Sequence, residues 1–177
     1  PAAAPAKWAQ IHNHAELATF LSPAPERPSA VFATFEELSI ALDDERQAQV
    51  AINSGQQSLL DTVQGMDSGE ALKAALSMMK GGYVTHHAKQ VYHLMKLAPD
   101  SPDQLVFDTM IAAYLHNPQE KSYALQNFAS RDARGVMELY RSQARQLEAD
   151  GMADLFRDIE LPLTRVLYDM ESLGFQV

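Results

Sequence analysis

Leu105-Val106-Phe107-Asp108-Thr109-Met110-Ile111-Ala112-Ala113-Tyr114-Leu115 changes its hydrophobic period halfway along. Its first three residues form a short apolar run of β-branched and aromatic character, the pattern of a buried strand. Asp108 and Thr109 are residue types that cap helices. Behind them Met110, Ile111, Tyr114 and Leu115 recur at helical spacing. Pro118 disfavours a helical conformation at Asn117, so the helix should stop near His116. The stretch predicts a strand running directly into a helix, both buried, with Asp108 as the cap between them.

Working outward from it, residues 30–35 are an apolar run that predicts the first strand of a central sheet. Residues 38–42 predict a second strand, and residues 46–52, with Ala48, Val50 and Ile52 on one face, a third. Asp43-Asp44-Glu45 is a turn, so the three make an antiparallel meander that closes at Asn53-Ser54-Gly55. Ahead of it, residues 1–7 read as an Ala/Pro-rich linker. Residues 8–21 read as a short extended piece and then a helix with Leu17, Phe20 and Leu21 on one side, and the proline-rich residues 22–29 as a loop. After it, residues 69–79 are helical with Ser68 as cap, and Ala71, Leu72, Ala75, Leu76 and Met79 point inward. Gly81-Gly82 stops that helix, residues 83–85 are a strand, and residues 86–97 are a helix burying Ala88, Val91, Leu94 and Met95. Residues 123–128 predict a short helix. Residues 132–149 predict a longer one with Val136, Leu139, Tyr140 and Leu147 inward. Residues 152–173 predict a last helix bent at Pro162, with Gly174 as its C-cap. This order argues for an α/β fold: a mixed central sheet of a meander plus parallel strands, flanking helices, and a helical C-terminal part.

Composition bounds the function classes. The 177 residues, 46% hydrophobic and 21% charged, suit one ordinary globular domain. There is no cysteine, hence no disulfide framework and no thiolate metal site, in keeping with a cytoplasmic protein. No apolar run approaches the roughly 20 residues that span a bilayer, so no membrane partner is expected. The formal net charge is −9 with Lys and Arg scattered, so DNA should be held only weakly by this chain alone. Phosphate-loop, dinucleotide and nucleophile-elbow motifs are missing. His12, His14, His86, His87 and His93 lack the helical pair spacing of a zinc site.

Phe107-Asp108-Thr109-Met110 with Ala112-Ala113-Tyr114-Leu115 resembles a segment of the 3′–5′ exonuclease domain of family A DNA polymerases, the bacterial DNA polymerase I type. Ile159-Glu160-Leu161-Pro162-Leu163, Val166-Leu167, Met170-Glu171 and Gly174-Phe175-Gln176-Val177 resemble the passage by which that family leaves the exonuclease domain and enters the polymerase domain. The two phrases stand in the family's order. The resemblance covers most of the chain and is weakest before about residue 30. It implies a ribonuclease-H-like exonuclease fold, with residues 1–29 leading in, residues 30–151 as the exonuclease-like core, and residues 152–177 leading toward a polymerase domain. The chain starts at Pro1 rather than Met and stops at Val177 without a terminating signal, so the expectation is a piece of a longer polymerase. Its partners would be the polymerase domain of the same parent and, weakly, DNA.

The resemblance also implies a two-metal mechanism, in which carboxylates hold Mg²⁺ or Mn²⁺. The family's Asp-x-Glu motif falls on Thr34-Phe35-Glu36: the glutamate is kept, and the aspartate that would bridge both metals is Thr34. Its Asn-x-x-x-Asp motif falls on His87 and Val91, and the valine reads as core. Its Tyr-x-x-x-Asp motif falls best on Phe128-Ala129-Ser130-Arg131-Asp132, which keeps the acid but loses the hydroxyl. Glu36 also reads as an exposed turn residue and Asp132 as a helix cap. Two acids do not hold two metals against water, so the implied site is vestigial: no catalytic residue and no cofactor is expected. The alternative is an active exonuclease with an altered ligand set built on Glu36, Asp132 and Glu37.

Overall fold

The computed structural model of the protein describes residues 7–53 and 65–174. Strands β1 (Trp8–Ile11), β2 (Ser29–Ala33), β3 (Leu38–Ala41), β4 (Gln47–Val50), β5 (Tyr83–Thr85) and β6 (Leu105–Asp108) form one sheet in the order β1-β4-β3-β2-β5-β6. β2, β3 and β4 are the antiparallel meander. β5 lies parallel to β2, and β6 parallel to β5. The α/β class and the mixed sheet expected from the sequence are what the chain adopts. β1, expected only as a short extended piece, is a full member of the sheet, paired in parallel with β4 from Trp8–Gln47 to Ile11–Val50. Only Ile11 of its four residues is buried, so the strand carries no alternation that could announce it.

Both faces of the sheet are covered. Val31 and Ala33 of β2 enter one core, with Leu17 of α1 (His14–Phe20), Leu72 of α2 (Ser68–Ser77) and Val91 of α3 (Ala88–Met95). Ala30 and Phe32 enter the other, with Ala112 of α4 (Thr109–His116) and Val136 of α5 (Ala133–Ala149). Successive side chains of a strand point to opposite faces, so a strand covered on both sides reads as a continuous apolar run.

Several expectations need correction. β2 ends at Ala33 because Thr34 opens the turn to β3, and Phe35 is 66% exposed. The cap of α2 is Asp67, whose carboxylate accepts from the Glu70 amide at 3.0 Å; Ser68 is the first helical residue. α3 begins at Ala88, after His87 in the left-handed region at φ 76°. The buried residues of α4 are Thr109, Ala112 and Ala113, whereas Tyr114 is 50% exposed. Val106 is also exposed, because β6 is the edge strand. Residues 123–128 hold only a 3₁₀ turn, Leu125–Asn127. The C-terminal helical part is α6 (Ala153–Leu155), a π turn (Phe156–Glu160) and α7 (Leu161–Ser172). Pro162 has no amide hydrogen to donate back toward Asp158, and the widened turn stands where that bond would have been. Among the described residues no helix is long and apolar enough to cross a membrane.

Candidate functional site

β2, β5 and β6 run parallel, so their C-terminal ends open on the same side of the sheet, where loops gather side chains. Asp108, at the end of β6, is fully buried. Its Oδ1 accepts from the amide of Met110 at 2.9 Å, capping α4 as its residue type predicts, and from the amide of His87 at 3.0 Å. Its Oδ2 accepts from the amide of Ala88 at 2.7 Å. One carboxylate thus ties the starts of α3 and α4 to the sheet and holds the left-handed His87 in place. Bonds from an amide to a charged acceptor are among the stronger ones in a protein.

His86 is buried beside it. Its Nε2 lies 2.5 Å from the carbonyl of Tyr123, which only accepts, so this nitrogen carries the proton. Nδ1 then accepts from the Thr109 hydroxyl at 2.7 Å. Burial lowers the pKa of this imidazole below the ordinary histidine value. Burial also lowers that of His87. His86 therefore acts as a neutral bridge that pins the loop carrying Tyr123 against the sheet.

Between that loop and the end of β2 lies a cleft of about 430 Å³. Phe32, Thr34, His87, Lys121 and Arg131 line it, and no carboxylate does. Of the expected site residues it brings together Thr34 and His87. Glu36 and Asp132 line a different groove of about 300 Å³ with Glu37. Phe32 and Arg131 line both. The Arg131 guanidinium sits 5.0 Å over the Phe32 ring and bonds Glu37 at 2.6 Å, so a cation lines the groove that holds the acids.

Each remaining position has a local occupation. The Thr34 hydroxyl accepts from the amides of Glu36 at 3.2 Å and Glu37 at 3.1 Å, closing the β2–β3 turn. Val91 is 1% exposed within the core under α3. Asp132 is the cap of α5: its Oδ1 accepts from the Gly135 amide at 2.9 Å and from the Ser130 hydroxyl at 3.0 Å. Phe128 is 37% exposed and lines a separate cavity of about 240 Å³ with Leu139 and Gln143. Among the described residues no three histidine or carboxylate side chains converge as a metal site would need.

Solved structures share this fold. One is the POL domain of Pol1 from M. smegmatis, in complex with DNA primer-template and dNTP. It matches 96% of this chain with a TM-score of 0.68 at 24% sequence identity. The two share a fold. The match takes in 32% of that structure's chain, so the present chain spans about a third of its length. No family model matches the chain. No curated protein matches it either.

Phe32 and Arg131 are not among the site residues expected from the sequence, and His86 is considered there only as a zinc ligand. His86 carried one signal, adjacency to His87 at the end of a strand. Arg131 lies inside the third motif and was passed over because the chemistry sought there was acidic.

Proposed function

We propose that this chain is a non-catalytic 3′–5′ exonuclease-like domain of a family A DNA polymerase, of ribonuclease-H-like fold, which supports the polymerase domain of its parent in DNA replication and repair. The observation that carries the reading is the fate of the motif positions. The residue that should bridge two metals is Thr34, its oxygen given to its own turn, and the second aspartate is Val91, in the core. The fold shared with part of Pol1, and a meander whose first strand is flanked on its other side by parallel strands, support the assignment of the scaffold.

The groups present do not suit a pair of divalent ions. Glu36 and Asp132 face a groove entered by the Arg131 guanidinium, and Asp132 is engaged as a cap. In this reading the domain binds neither Mg²⁺ nor Mn²⁺ and meets DNA only within its parent, in the cytoplasm. The test is incubation of the 177-residue chain with labelled single-stranded DNA and either metal. No digestion is expected, and metal-dependent digestion that disappears in Glu36→Ala overturns the reading. Calorimetric titration with Mn²⁺ separates the altered-ligand alternative: heat from two tight sites, lost in Asp132→Asn, would establish it.

A further inference from the structure

α4 and α5 pack side by side, and the side chains between them are of unequal size. Nearer the sheet the space is filled: Tyr140 of α5 meets the Phe107 ring edge-on, with 4.9 Å between centroids. Farther along, α4 offers only the methyl groups of Ala112 and Ala113 to Leu139, Gln143 and Leu147 of α5. Two methyl groups do not close that gap, and the cavity of about 240 Å³ that Phe128 lines stands there. Its wall is mostly apolar, while His116, Glu120 and Asp150, which also line it, are exposed and form its rim. An apolar cavity of about 150 Å³ accepts benzene, so this one has room for a ring and a short polar substituent.

We infer that this cavity is a binding site for a small organic cation, its apolar ring between α4 and α5 and its ammonium or amidinium group at the rim. The inference goes beyond the proposed reading and does not depend on it. Charge selects the occupant. Glu120 and Asp150 are the acidic side chains that line the cavity, and no lysine or arginine lines it. Both carboxylates are held by neutral donors: Glu120 accepts from the Asn117 side-chain amide at 3.0 Å, and Asp150 from that of Gln146 at 2.9 Å. The nearest basic group to Asp150 is the His116 ring nitrogen, at 4.0 Å. A carboxylate accepts several hydrogen bonds, so each keeps capacity for a cationic donor at the opening. Phe128, 37% exposed in the same wall, adds an aromatic face of the kind that attracts cations. An anion of the same shape would meet like charge at the rim, and a neutral ring would gain nothing from it.

Benzamidinium, benzamide and benzoate share one shape and differ in charge. Each is titrated at low salt into the isotope-labelled 177-residue chain, and the amide resonances of Ala112, Ala113 and Leu139 report occupancy. Benzamidinium is expected to bind with a Kd on the order of 1 mM, at least about fivefold tighter than benzamide, with benzoate the weakest. Glu120→Gln combined with Asp150→Asn should bring benzamidinium to within about twofold of benzamide, because the rim charge is gone. Ala113→Leu fills the cavity and should abolish binding of all three. Ser142→Leu, on the exposed part of the same wall, blocks the cavity without touching the core and serves if Ala113→Leu does not fold. The proposal is overturned by benzamidinium leaving these resonances unmoved at about ten times that concentration, or by equal affinities for the three probes. Charge preference that persists in the double variant, or binding that survives a folded cavity-filling variant, overturns it as well.

Discussion

Replacing Asp108 with alanine removes the one acceptor shared by the starts of α3 and α4. Three amides lose their partner: His87, Ala88 and Met110. A hydrogen bond to a charged group contributes about 1.5 kcal/mol or more net, and a buried donor left unpaired costs its desolvation. Three such bonds at a fully buried site sum to about 4.5 kcal/mol, a large part of the 5–15 kcal/mol of a typical domain. Asp108→Asn is the graded control. Its amide oxygen can still serve His87 and Met110, while its NH₂ group faces the Ala88 amide, donor against donor, so a loss of about 2–3 kcal/mol is expected. Asp132→Ala, at a cap on the surface, should cost only about 1 kcal/mol. The assay is urea unfolding at pH 7 followed by circular dichroism, with the slope checked for constancy across the variants. If Asp108→Ala unfolds within 1 kcal/mol of the parent, or no lower than Asp132→Ala, the carboxylate is not what joins the two helices.

The other predictions concern neighbouring groups. Val91→Asp should cost about 3–4 kcal/mol, because it puts an unpaired carboxylate in the core; Thr34→Asp should stay within about 0.5 kcal/mol, since an aspartate can accept from the same turn amides. Urea titrations of the two side by side give the comparison. The pKa of His86 is lowered by burial, so the unfolded chain takes up protons first as pH falls below the ordinary histidine value near 6.5. Stability is then full above that value and declines on acidification, His87 adding in the same direction; the decline between pH 7.5 and 5.5 should be smaller in His86→Gln. Gly135→Ala would place a Cβ 1.8 Å from the Ser130 carbonyl oxygen, and should lower stability by about 2 kcal/mol on thermal unfolding as the first turn of α5 is pushed away.

What could be read from residues alone follows the reach of each interaction. The strand-to-helix switch at residues 105–115 was legible because period and cap are local signals, and the Asp108 cap on α4 is local too. Its second role, holding the amides of His87 and Ala88 some 20 residues upstream, is a tertiary contact that no spacing announces. The same holds for Asp103, which accepts from the hydroxyls of Tyr83 at 2.8 Å and Tyr92 at 2.6 Å and lets two large phenols lie in the core. Burial, with that carboxylate beside them, raises both phenol pKa values. β1 was legible only as a short extended piece, because a four-residue edge strand with one buried residue has too little alternation to announce its place in the sheet. That Thr34 and Val91 stand where carboxylates would be expected was legible only through the resemblance. That Arg131 pairs with Glu37 was not, because the bond joins residues 94 positions apart.

Thr34 and Val91, the positions at which the proposed reading expects carboxylates, differ in what an acid there would cost. At Thr34 the polar atom still does what an aspartate oxygen could do in the same turn, accepting two amides, so the exchange leaves the backbone untouched and is close to neutral in either direction. At Val91 a methyl pair lies in the core under α3, and the exchange from acid to valine trades a charge that needs a partner for apolar burial. Without a bound cation nothing would offset that charge, and valine is the stabilising residue there. An aspartate in place of Thr34 therefore costs little, while one in place of Val91 works against the packing of α3. The Asp132 carboxylate, by contrast, has a use that requires no metal: it caps α5.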